Sequence, residues 1–164
     1  MNYFLMSNFF DKTSPSDFGL EYIDGKYIRK DDNTEWLPCK LYDFGWGPEN
    51  GFYKVPLAPF EELINVIVGD SNRDDLYGSA AMINQIYAME LKEYLLNMMS
   101  QGISDSIKKK LNEVFDLGKG TNKTASLGMS LSDIKKEYDQ WLLIGDFYSK
   151  YEKKRKFCIF SKRK

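Results

Sequence analysis

Histidine is absent from the 164 residues, so the reactive groups open to this chain are carboxylates, lysines, tyrosine and serine hydroxyls and two cysteines, Cys39 and Cys158. Ser-His-Asp and Cys-His catalysis, His-ligated zinc and imidazole proton shuttling are all excluded. Two stretches have spacings that invite chemistry. In the first, Asp70, Asn72 and Asp74 fall at the first three ligand positions of a calcium loop. The sixth position, where a glycine is needed, is Asp75, and the twelfth, where a bidentate glutamate is needed, is Ala81. The segment therefore reads as an acidic turn, with Asp74 capping the following helix. In the second, Gly118 to Thr124 places Lys123-Thr124 as in a phosphate loop, but Asn122 and Leu117 stand where its glycines belong and no strand precedes it. Among the carboxylates, Asp43, Glu49, Glu61 and Glu62 lie near Trp46 and Phe52 in sequence, while Glu90 and Glu137 each have a lysine within two residues and read as solvated. The expectation is a chain with no catalytic residue, no metal ligand and no cofactor. A carboxylate enzyme stays open as an alternative, since two facing acids suffice for acid–base work.

What remains is charge and aromatic surface. Residues 150–164 carry eight bases and one acid, a net of +7, and residues 1–149 carry fifteen bases and twenty-three acids, a net of −8. Aromatic residues make up 15% of the chain, and tyrosine and tryptophan serve equally in a core or at a contact surface. Acids and aromatics coincide at Glu49, Trp46, Asp70, Asp74, Asp75 and Tyr77, which are the expected partner-binding residues. Trp46 lies between two glycines, where it either closes over the helical layer as a lid or anchors a partner. Aromatic anchors supply buried contact area and the surrounding acids attract a basic protein. The basic tail interleaves cations with Phe157 and Phe160. It reads as a helix end at the negative pole of the dipole, or alternatively as a module for nucleic acid or an anionic surface.

The elements that must hold these residues change type near residue 58. Before it, short aromatic and β-branched runs alternate with turn residues. Asp24-Gly25 between Tyr22-Ile23 and Tyr27-Ile28 predicts a tight hairpin. Asp31 to Asn33 is a second turn. Trp36-Leu37 and Lys40 to Phe44 read as strand pieces broken by Pro38, Gly45 to Gly51 as a loop, and Phe52 to Val55 as a strand. After Pro59 the apolar period is helical. It predicts helices ending at Gly69, running from Asp74 to Gly102 with a break near Ala88, from Ser104 to Gly118, and from Ser130 onward with Asp133 completing the cap. Lys119 to Met129 reads as a polar loop, and Phe157 to Phe160 as a final strand added to the sheet. The fold class is α+β, a small N-terminal antiparallel sheet packed on four to five C-terminal helices. The chain is taken as one domain, 1–164, with a β-rich part at 1–57, a helical part at 58–155 and a basic tail or final strand at 156–164. No signal-peptide pattern and no apolar run of membrane-spanning length occurs, which gives a cytoplasmic expectation with no membrane partner.

The size, the acidic body, YDFGWGPENGFY at 42–53 and GDSNRDDLYGSAAMI at 69–83 together resemble a small bacterial immunity protein of a polymorphic-toxin or contact-dependent inhibition system. The resemblance spans about a quarter of the chain. It implies a non-enzymatic inhibitor that occludes the active site of one cognate toxin domain, a basic protein and often a nuclease. No small-molecule substrate is implied, and nucleic acid is not the expected partner. The basic tail departs from a purely acidic decoy, which puts direct mimicry of nucleic acid in doubt.

Overall fold

The computed structural model describes residues 2–7, 14–43, 45 and 47–161, with Pro48 and 151–161 described by backbone alone. Among the described residues five strands form one antiparallel sheet and five α-helices follow it, an α+β layout. The chain divides into two compact units, Met1–Gln85 and Ile86–Lys164; the β-rich stretch and the first two helices lie in the first.

In the first unit the sheet order is β1 (Phe4–Met6), β5 (Pro48–Lys54), β4 (Glu35–Asp43), β3 (Lys26–Arg29), β2 (Leu20–Ile23). The β2–β3 hairpin turns on Asp24 and Gly25, both at positive φ (49° and 85°), as a primed two-residue turn demands. The register pairs Leu5 with Phe52, Pro38 with Phe52, Trp36 with Tyr27, and Tyr27 with Tyr22. Because side chains alternate along a strand, these residues share one face. Leu5, Phe18, Leu20, Trp36 and Phe52 form a buried cluster there, with Tyr27 against it. Its rings make a ladder: Tyr22 to Tyr27 at 5.1 Å, Tyr27 to Phe52 at 5.0 Å, Phe52 to Phe18 at 6.0 Å. Phe4, Met6, Gly51 and Leu41 belong to the opposite face, with Phe4 packed against Gly78 of α2 (Arg73–Ile86). Helix α1 (Phe60–Val68) buries Leu63, Ile64 and Ile67.

Several local expectations are corrected. Pro38 does not break its strand; β4 is continuous. β3 registers only with Glu35 and Trp36, so at Pro38 the strand has a single neighbour and a missing N–H costs little. The expected loop at 45–51 is shorter, because β5 begins at Pro48 and already pairs with Asp43. β1, a three-residue strand buried at every position, carried no alternation for a sequence reading to detect.

In the second unit α3 (Ala88–Gln101) follows α2 after a break at Tyr87, as expected, and ends at Gly102. α4 (Asp105–Phe115) is capped by the Ser104 hydroxyl, which accepts from the Ile107 N–H. It ends before Gly118, with Asp116 in the left-handed region (φ 52°). α5 runs Leu131–Ser161, and Ser130 with Asp133 caps it as expected. Leu91 and Leu95 of α3, Leu111, Val114 and Phe115 of α4, Leu117, and Trp141, Ile144 and Tyr148 of α5 are the buried hydrophobic residues of this unit. At Gly145 the 117–120 turn comes so close that a Cβ would stand 2.5 Å from the Leu117 carbonyl oxygen. The expected strand at Phe157 to Phe160 is helix instead. No glycine or proline follows Gly145, and nothing stops the helix before Ser161. No helix among the described residues is long and apolar enough to cross a membrane.

Candidate functional site

The acidic turn between α1 and α2 is built around Asn72. Its side-chain oxygen accepts from the Asp75 N–H at 2.9 Å and its amide donates to Asp75 Oδ2 at 2.7 Å, so Asn72, not Asp74, caps the helix. Asp75 is 3% exposed. Its Oδ1 accepts the N–H groups of Tyr3 (2.7 Å) and Phe4 (2.9 Å). One turn face further, Asp74 Oδ2 accepts the Met6 N–H at 3.1 Å. The Tyr3 hydroxyl donates to Glu62 of α1, and this bond, ahead of burial and the nearby carboxylates, raises the tyrosine's pKa. Three acids of the helices thus hold Tyr3 and the edge strand β1 that follows it, a strand of only three residues.

This arrangement separates the expected partner-binding residues. Asp75 is internal. Asp74 is half-buried and shares its carboxylate with β1, Asp70 is exposed in the turn, and Tyr77 is half-buried one helical turn beyond Asp74. The Tyr77 ring lies 4.6 Å from that of Tyr42 on β4, tilted by 53°. Tyr42 went unnoticed in the sequence because only the tertiary fold places β4 beneath α2, where Gln85 also donates to the Lys40 carbonyl at 3.0 Å. Glu49 is half-buried on β5. Trp46 lies outside the described residues. Beside it Asp43 Oδ1 accepts from the N–H groups of Gly45 (2.7 Å) and Gly47 (3.0 Å), closing the β4–β5 turn on its own carboxylate. No group of three or more potential metal ligands occurs among the described residues, and both Asn72 and Asp74 are engaged within the fold.

The second unit holds a polar cluster that the sequence reading missed. Glu137 is not a solvated residue. Its Oε2 accepts from Lys92 Nζ at 2.5 Å, with side-chain exposures of 14% and 8%, and from the Thr124 hydroxyl. The Lys92 bond, followed by that of Thr124, holds the Glu137 carboxyl below the usual carboxylate range. Trp141 Nε1 donates to Thr124 Oγ1 at 3.0 Å, and Asn122 Oδ1 accepts from the N–H groups of Thr124 and Ala125, both at 3.1 Å. The polar loop after Gly120 is therefore tied to α5. Next to it, burial lowers the pKa of Lys123. A lysine and a glutamate already satisfied by each other make a fold-holding pair, not two acids facing a substrate. Burial alone pushes the Cys39 thiol up to about 12, far from the thiolate a nucleophile needs.

No family model matches the chain. No curated protein and no solved structure matches it either.

Proposed function

We propose that this chain is a protein-binding inhibitor that engages a basic partner through the acidic, aromatic surface of its first unit. In keeping with the resemblance in its sequence, the partner is a bacterial toxin domain whose active site it occludes. The observation that supports this reading most is the Tyr42–Tyr77 ring pair near the start of α2, with Tyr77 one helical turn after Asp74 and Asp70 exposed in the turn that precedes the helix. Paired rings offer rigid apolar contact at low entropic cost, and carboxylates at the rim raise the association rate. Glu49 on β5 is included in the proposed contact, and Trp46, outside the described residues, is kept in it on the sequence reading alone. Asp75 keeps an internal part, because moving its carboxylate outward would strand the two β1 donors.

The test is titration calorimetry against candidate toxin domains drawn from the genes that neighbour this one. A one-to-one complex that weakens with rising salt is expected. Asp70→Lys should slow association and reduce its salt dependence, and Tyr77→Ala should cost about 2 kcal/mol of binding, the scale of an aromatic hot spot. Absence of binding, or a complex indifferent to both changes, removes the proposal.

A further inference from the structure

One face of α5 is only partly covered. Leu131 is 86% exposed, Tyr138 46% and Leu142 42%. At 3.6 residues per turn they fall within an arc of about 40°, one stripe along the helix. Leu127, fully exposed at the tip of the loop before α5, extends the apolar surface. That loop is not loose at its base, since Asn122 holds Thr124 and Ala125 and the Ser126 carbonyl accepts from the Met129 N–H at 3.4 Å. Large aliphatic side chains set at helical spacing on an ordered element are a contact surface.

The charges beside the stripe say what fits it. Lys135 and Asp139 are exposed, lie on the same side of the stripe, and neither forms an ion pair among the described residues. They are placed two residues before and two residues after Glu137. A two-fold axis crossing α5 at that level sets Lys135 of one copy opposite Asp139 of the other, twice, because in an antiparallel helix pair a given rim meets itself. The same operation brings Leu131 alongside Leu142 of the second copy, again twice, with the Tyr138 rings near the axis. The surface is complementary to itself in both shape class and charge.

We propose that this chain self-associates through α5, with α5 of a second copy docked antiparallel on the Leu131–Tyr138–Leu142 stripe. The contact lies in the second unit, on different residues from those of the proposed inhibitor surface, and stands independently of it.

Sedimentation equilibrium of the full chain, from micromolar to millimolar, reads the association. A concentration-dependent dimer is expected. Lys135→Asp places like charges opposite one another at both rim positions and should weaken the dimer about tenfold, while Lys135→Asp with Asp139→Lys restores the pairing and should recover it. Circular dichroism of each variant reports folding, which these exposed positions should leave unchanged. As a second measurement, a chain with Cys39→Ser, Cys158→Ser, Lys135→Cys and Asp139→Cys should give an intermolecular disulfide on mild oxidation. A monomer throughout the concentration range overturns the proposal. A dimer insensitive to Lys135→Asp, or one without the cross-link, overturns it too, since it would use another face.

Discussion

Asp75 and Glu137 show how a single carboxylate can be a structural joint. Asp75 satisfies two adjacent backbone donors of β1 from inside the first unit. Asp75→Ala should orphan both and destabilise the protein by about 3 kcal/mol, given that hydrogen bonds to charged groups contribute about 1.5–3 kcal/mol each. A shift of the urea midpoint at unchanged slope would show it. Glu137 and Lys92 are both largely removed from water. Lys92→Met alone should cost about 3–5 kcal/mol by stranding the carboxylate, whereas Lys92→Met with Glu137→Leu should recover most of that loss. The same pair sets a pH dependence. The Glu137 carboxyl is depressed in the folded state below its ordinary value of 4.5, so its contribution is fully present above pH 4.5 and is lost as pH falls through its folded value. Thermal melts from pH 6 to pH 3 should therefore fall less steeply for Glu137→Gln than for the unaltered chain.

Among the elements, β1 and α2 depend on each other most plainly. Gly78 sits in mid-helix, where alanine is intrinsically better by about 1 kcal/mol, yet a Cβ there would be driven into the Phe4 ring. Gly78→Ala should thus destabilise by about 1–3 kcal/mol, the usual cost of overpacking, and Phe4→Leu in the same chain should relieve part of it. Equilibrium unfolding of the two variants decides this. At the other end of the chain, α5 continues as helix into the basic segment. If the tail serves only the helix end, deleting residues 152–164 should leave binding to the basic partner intact and lower the melting temperature slightly. Gel-shift and vesicle pull-down experiments on the full chain test the alternative, and binding that vanishes with the deletion would move the function to the tail.

Across the whole molecule, what the sequence alone made legible depends on neighbours along the chain. The Asp24-Gly25 hairpin follows from positive φ at two successive residues, the Ser104 and Ser130 caps from orphan N–H groups within one turn, and the α+β order from a period that switches from two to 3.6 near residue 58. The absence of histidine by itself removes whole classes of catalysis. Tertiary structure decided which acids face outward. Asp70, Asp74 and Asp75 look alike in sequence, yet they are exposed, shared with β1 and buried in turn. The difference comes from a three-residue strand about seventy positions away whose backbone donors needed acceptors. Glu137 likewise looked solvated, because the lysine that claims it lies forty-five residues earlier. Charge is a property of the chain, but its use depends on which groups the fold desolvates, and a buried donor from a distant segment leaves no mark on the residues around the acid that satisfies it.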